Sequence, residues 1–431
     1  MNSQFAFEYS RHPEKPVERA VEYVGNCDQR PLGRKTRCAL AALGVIVLNA
    51  PLLAAPTALP LIQKANLVYQ GAFRVPQGAS DTTTFNYGGT ALGYNSGNNS
   101  LYITGHDHAQ FSAEIGIPAV VNSTTLKDLA TATLLQPLTD ATEGKLGKIN
   151  PSDPNAKKIG GHLVYNGNLI VTGFSYYDGA GTQSASHFSR PLSLSTAGKV
   201  VGPYSVGADP HFVGGYMTLV PPEWQATLGG PALTGMCCLS IANVQSCGPS
   251  ISVFDPSLTS RSATRLLGYP LSNALRPVSS TNAVYNLTSS ISGVVFPSGT
   301  RSVLFFGRHG AGNYCYGEGS DCGDPADSSK GVHGYPYVYQ VWAYDANDLL
   351  AVKKGSRRQY QPQPYAVWTF NLPFEHARST HFLGGAAYDS QKQQIYLSQR
   401  GGDGSGPVIH VFKVTGTAST TLAPLANLRA Q

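Results

Sequence analysis

A glycine pair recurs through this chain, each time in the same company: FNYGGTALGY (85 to 94), KIGGHLVY (158 to 165), HFVGGYMTLV (211 to 220) and HFLGGAAYD (381 to 389). SISGVVF (290 to 296), with Ser292-Gly293, is a fifth and weaker copy. Adjacent glycines inside an apolar run mark places where two backbones come too close for a side chain. Each copy is followed by an apolar strand that ends in Gly or a small polar residue. These are LYITGH (101 to 106), LIVTGF (169 to 174), ALTGM (232 to 236), VLFFGR (303 to 308) and IYLSQR (395 to 400). A third apolar segment comes next in every unit: IPAVV, SRPLSL, ISVFDP, VYQVWAYD and VIHVFKV. In three units a fourth follows, ATLLQPL, TRLLGYP or AVWTFNL.

Five units of short strands repeated along one chain predict an all-β, five-bladed β-propeller, each blade a four-stranded sheet. The last unit stops at VFKV, one strand short. LVYQGAFRV (67 to 75) stands unclaimed ahead of the first unit, so the ring is expected to close by an N-terminal strand completing the last blade. Composition agrees: charged residues are 13% of the chain, while Gly reaches 47 and Tyr 23, which suits turns and strands better than amphipathic helices. The glycine pair followed by apolar-Tyr-apolar resembles kelch-type propeller repeats over most of the chain. That resemblance implies the fold alone, because the kelch-type Trp is missing from most units, and no catalytic residue is carried over. A Gly-rich β-sandwich is the competing architecture for the same short-strand period.

Ahead of the repeats, RKTRCALAALGVIVLNAPLLAAPTA (34 to 58) sets Arg34, Lys35 and Arg37 before an apolar run and then small residues. This is the pattern of a secretory signal. An anchor over residues 38 to 55 is the alternative, since roughly 18 apolar residues just span a bilayer. The expected organisation is an N-terminal extension (1 to 33), with translation expected to begin nearer Arg34, a leader (34 to 56), one propeller domain (57 to 415) and a tail (416 to 431). The protein is read as secreted or periplasmic, membrane-bound only through an uncleaved leader, and monomeric. The first 56 residues hold 7 of the 31 basic and 5 of the 25 acidic side chains, so the remainder carries +4 with no basic cluster beyond paired residues. Nucleic acid is therefore excluded as a partner. In an oxidising compartment, CYGEGSDC closes as Cys315–Cys322, and Cys247 pairs with Cys238 or Cys237. No spacing suits zinc.

In a propeller the loops entering the inner strands and those after the second strands share one face, where ligands bind around the axis. His211 and His381 hold the same place in the repeat, three residues before their glycine pairs. Arg308 and Arg400 both end second strands, and His309 follows Arg308. Two guanidiniums at an axis would grip a carboxylate or phosphate. Tyr176, Tyr177 and Asp178 add aromatic platforms with polar tips, which suit sugars. His106 and His108, two apart at a strand end, form half of a candidate divalent-metal site, its remaining ligands drawn from His211, His309 or His381. No cofactor is otherwise required.

The carboxylates on this face, Asp107, Asp178, Asp209, Glu375 and Asp403, form no matched pair of the kind that glycoside hydrolysis uses. Two functional readings follow. One is a binding module for an extracellular glycan or small anion. The other is an enzyme on polysaccharide, a lyase of acidic glycans before a hydrolase, in which Arg or a metal neutralises a uronate and His or Tyr takes the adjacent proton.

Overall fold

The protein is described by a computed structural model that covers residues 55–78, 83–239, 241–257, 263–376 and 378–418. The N-terminal extension and the leader up to residue 54 fall outside these residues. Among the described residues, no helix is long and apolar enough to cross a membrane.

Five four-stranded antiparallel sheets form the five blades of a propeller, and among the described residues only two α-helices accompany them. The first strand, β1 (Leu67–Arg74), precedes blade one. Blade one is β2 (Leu92–Asn95), β3 (Ser100–Thr104), β4 (Ser112–Gly116) and β5 (Leu134–Thr139). Blade two is β6 (Lys157–Tyr165), β7 (Asn168–Ser175), β8 (His187–Pro191) and β9 (Val201–Tyr204). Blade three is β10 (Met217–Leu219), β11 (Ala232–Thr234), β12 (Ile251–Phe254) and β13 (Thr264–Leu267), with α1 (Pro222–Leu228) between its first two strands.

Blade four begins with β14 (Ser290–Val295) and β15 (Ser302–Gly310). A small hairpin, β16 (Cys315–Gly317) and β17 (Gly331–His333), interrupts it before β18 (Tyr337–Asp345), α2 (Ala346–Lys353) and β19 (Ala366–Phe370). Blade five is β20 (Leu383–Asp389), β21 (Gln394–Asp403) and β22 (Gly406–Val414). Its fourth strand is β1, which pairs with β22 from Leu67 opposite Val414 to Arg74 opposite Val408.

The glycine pairs explain the ring. Inner strands of successive blades touch, β2 with β6 and β20, and β10 with β6 and β14. A Cβ on Gly384 would stand 1.7 Å from Gly89 O, and one on Gly160 would stand 2.2 Å from Gly214 O. The glycine pairs of blades five and one, and of blades two and three, thus meet one another at a separation no side chain survives, while Gly293 of blade four is met by Ala386 of blade five. Between the blades lie five apolar cores. The largest, between blades three and four, holds Trp224, Tyr269, Phe305 and Trp342, none of them exposed.

Two strand assignments from the sequence are corrected. IPAVV (117 to 121) is not the third strand of blade one; β4, SAEIG, takes that place, and Val121 makes only an isolated bridge to Ala72. In blade two the third strand begins at His187, earlier than SRPLSL suggests. Cys315 and Cys322 are bonded, but the Cys238–Cys247 pairing is not formed: Cys238 is joined to its neighbour Cys237. Cys247 is a buried free thiol turned into the core between blades three and four, where it donates to Ala242 O.

Candidate functional site

Arg308 stands near the end of β15, and its side chain leaves the strand beside the residues that lead into β20. Its guanidinium carbon lies 3.6 Å from the centroid of Phe382 and 4.2 Å from that of Tyr337. One N–H, on Nη1, donates to Thr380 O at 2.9 Å, while the buried Nε has no partner. Arg400, in β21, approaches the same Phe382 ring at 5.8 Å. Its Nη2 donates to Tyr87 O at 3.0 Å, and its Nε is also without a partner. Among the described residues neither arginine belongs to an ion pair.

Burial pushes the Arg308 guanidinium down to about 10, against attraction from Tyr337, Asp327 and Asp324. Burial also lowers Arg400, with Asp107 pulling the other way. A cation drawn out of water without a carboxylate partner, as Arg308 is beside the half-buried Arg400, is costly to hold, and an incoming anion would relieve that cost.

His381 adjoins this pair. It sits at a φ of 51°, with Nδ1 facing Ser379 O at 2.9 Å and Nε2 facing Glu375 Oε1 at 3.1 Å. The imidazole lies 4.6 Å from the ring of Tyr339. His211, its equivalent in the repeat, is enclosed more tightly. Its Nδ1 meets Asp209 Oδ1 at 2.9 Å and its Nε2 meets Asp178 Oδ2 at 3.0 Å. Burial opposes a charge on His211, but the hydrogen bonds it donates to both carboxylates outweigh burial and raise its pKa. Asp178 is likewise buried. Donors from Thr182, His211 and Gln183 outweigh the burial and bring it down to about 2.

The remaining expected residues separate. Tyr176 and Tyr177 are exposed at 55% and 48%, above the buried Asp178. His309 is corrected from the binding face: it is 1% exposed, on the opposite side of β15 from Arg308. There Ser289 Oγ and Asn282 O occupy its two ring nitrogens, at 2.9 and 2.7 Å. The rings of His106 and His108 are 5.4 Å apart, and His106 Nδ1 already accepts from His108 N. His211, His309 and His381, each held by its own partners, do not join them. Among the described residues no group of three or more His, Cys, Asp or Glu could hold a metal ion.

The carboxylates are equally committed. Asp107 is bonded to Lys158 at 2.7 Å, Asp403 to Arg74 at 2.7 Å, Asp178 and Asp209 to His211, and Glu375 to His381. None is left as a free acid–base pair of the type that two-carboxylate glycosidases need.

Sequence reading missed Phe382 and Tyr337, although a signal for the first was present. The repeated phrase is His-Phe, and both phenylalanines carry an arginine: Arg265 stands 3.9 Å over Phe212, as Arg308 does over Phe382. Lys158, on Asp107, was missed as well.

No protein-family model matches the chain, and no curated protein matches it. Several solved structures resemble it at low identity. One is a glycoside hydrolase of the GH130 family, described as targeting β-1,2 mannosidic linkages in Candida mannan, with 12% identity, TM-score 0.41 and coverage of 85% of this chain and 97% of the other. A glycosyl hydrolase from Bacteroides ovatus has 11% identity, TM-score 0.41 and coverage of 87% and 96%. An exo-1,5-α-L-arabinanase from a bovine ruminal metagenomic library has 11% identity, TM-score 0.39 and coverage of 78% and 94%. No family model supports the kelch-type resemblance. At these identities the likenesses carry nothing about chemistry.

Proposed function

We propose that this chain is an exported propeller protein that grips an anionic ligand, an acidic glycan first among them, between Arg308 and Arg400. The observation that carries this reading is the pair of cations beside Phe382 with no ion-pair partner. A carboxylate reaching them would replace lost hydration with charge-assisted hydrogen bonds. Phe382 and Tyr337 add ring faces, against which a sugar packs its C–H surface. The two disulfides fit an oxidising compartment outside the cytoplasm.

Calorimetric titration of tri-galacturonate and of neutral maltotriose tests it. The acidic ligand is expected to bind at least 10-fold more tightly, and Arg308→Met with Arg400→Met to remove that preference. Equal affinity for both ligands, or none for either, overturns the proposal.

A second reading is favoured by His381 and Glu375, which meet at 3.1 Å with their side chains 18% and 41% exposed. His381 directly follows Thr380, whose carbonyl holds Arg308. In this reading the arginines neutralise a uronate carboxylate, which acidifies the neighbouring C–H. Glu375 releases Nε2 of His381, which accepts that proton, the electron pair forms a C=C bond, and the glycosidic oxygen departs with a proton from water. The unsaturated product absorbs in the ultraviolet. Its accumulation with wild type, and loss in His381→Ala with ligand binding retained, would establish a lyase. Binding without any such product would leave the binding module.

A further inference from the structure

Arg400 links the axial anion site to an aromatic corner on blade one. The carbonyl that its Nη2 holds at 3.0 Å belongs to Tyr87, in the loop that enters β2. The side chain of that tyrosine is turned outward, and the residue is 58% exposed. Its backbone takes a φ of 59°, in the left-handed region that a bulky aromatic residue rarely adopts. Strain of this kind persists only where the surroundings impose it, and it clusters at ligand sites. Here Tyr87 N donates to Ser405 O at 2.7 Å, and Ser405 Oγ donates to Asn86 Oδ1 at 2.8 Å. The hairpin between β21 and β22, together with Arg400, thus fixes the backbone beneath an exposed ring.

His106, in the turn between β3 and β4, supplies the second wall. Its ring centroid lies 5.9 Å from that of Tyr87, with the two planes at 87°. His106 Nδ1 accepts from His108 N at 3.2 Å, so the neutral imidazole carries its proton on Nε2, where it has no partner among the described residues. The turn itself is pinned to blade two. Gln110 N donates to His106 O at 2.9 Å, Ile159 N of β6 donates to Gln110 Oε1 at 2.6 Å, and Lys158 Nζ donates to Asp107 O at 2.9 Å. Lys158 also neutralises the Asp107 carboxylate. The corner therefore presents ring faces and a hydrogen-bond donor, with no unpaired charge.

A cation with a rigid, uncharged aromatic corner beside it matches two consecutive residues of an acidic sugar chain. One residue gives its carboxylate to the arginines. The next lays its C–H face on one ring and turns a hydroxyl edge toward the donor. We infer that Tyr87 and His106 form a second subsite next to the axial arginines, so that the ligand is an acidic oligosaccharide chain and not a single sugar acid or an inorganic anion. The inference rests on the arginine proposal and extends it from one residue of the ligand to at least two.

The quantity that tests it is the ratio of two affinities, for tri-galacturonate and for galacturonate, each measured by calorimetric titration. In wild type the trimer is expected to bind about 10-fold or more tightly than the single sugar. Tyr87→Ala keeps the carbonyl that Arg400 holds, removes the ring, and is expected to bring the ratio below about 3. Tyr87→Phe restores the ring and is expected to restore the ratio, and His106→Ala is expected to lower it. A ratio near one in wild type overturns the inference and leaves the arginine site standing. So does a ratio that Tyr87→Ala leaves unchanged, including the case in which both affinities fall together, which would make Tyr87 only a support for Arg400. Binding of neither ligand by wild type removes the arginine proposal, and the subsite with it.

Discussion

Arg308 lays its guanidinium 3.6 Å from the ring centroid of Phe382, and no carboxylate accompanies it. The residue is 8% exposed, so its charge is held almost wholly by two aromatic rings and one backbone carbonyl. Such an arrangement favours a ligand over stability. A cation–π contact contributes about 0.5–2 kcal/mol, which desolvation of the charge largely offsets. Arg308→Met is therefore expected to change the unfolding free energy by no more than about 1 kcal/mol, read by urea denaturation, while tri-galacturonate binding is lost. A fall in stability of several kcal/mol without loss of binding would make Arg308 a structural residue.

His211 behaves in the opposite way, because its charge is paired. Its raised pKa means that its contribution to stability is complete below the unfolded value of about 6.5 and fades as pH rises through the folded value. Asp178, brought down to about 2, contributes fully above its unfolded value of about 3.9 and loses that contribution as pH falls toward 2. The cluster is thus most stabilising between about pH 4 and 6.5. His211→Asn leaves two carboxylates without their cation, and breaking a buried pair costs about 3–5 kcal/mol. The stability gap between wild type and variant should be wide at pH 5.5 and narrower at pH 9. An equal gap at both would mean that the imidazole is neutral throughout.

The ring was legible because its signals are local: glycine pairs, and apolar alternation in strands such as β7, β15 and β22. IPAVV misled because β-branched residues look like a strand. The true strand, SAEIG, carries a glutamate that propensity disfavours. Glu114 is 1% exposed, and its carboxylate accepts from Asn95, Asn98, Ser100 and Gln136. Those partners are scattered over the blade, so no short window of sequence reveals that the charge is satisfied. The site shows the same limit. The equivalence of His211 and His381 was visible in the repeat. That one is locked between two aspartates and the other open beside Arg308 depends on neighbours that only the folded ring supplies.

Gly384 tests the account of the repeat itself. Its missing Cβ would collide with Gly89 O of the next blade, and backbone cannot step aside as a side-chain end can. Gly384→Ala should cost at least about 3 kcal/mol, the upper part of the range for overpacked interiors, or prevent folding. Gly167→Ala provides the control. Its Cβ would meet nothing within 4 Å, though its φ of 74° adds a conformational cost of about 1 kcal/mol. Denaturation midpoints separate the two. Comparable losses would mean that conformational strain, not contact between blades, keeps glycine at these positions.

Cys247 offers a test of the cysteine framework. A chain beginning at residue 57 keeps five cysteines, four of which are bonded as Cys237–Cys238 and Cys315–Cys322. Burial raises the Cys247 thiol to about 11, so little thiolate is present at neutral pH and the core shields what there is. A thiol reagent should find no reactive group in the native protein and one after unfolding in denaturant without reductant. Peptide mapping should then place the label on Cys247. A label on Cys237 would mean that Cys238 had bridged to Cys247 after all, drawing the loop after β11 toward the core between blades three and four. A label appearing before unfolding would mean that this core opens on the timescale of the reaction.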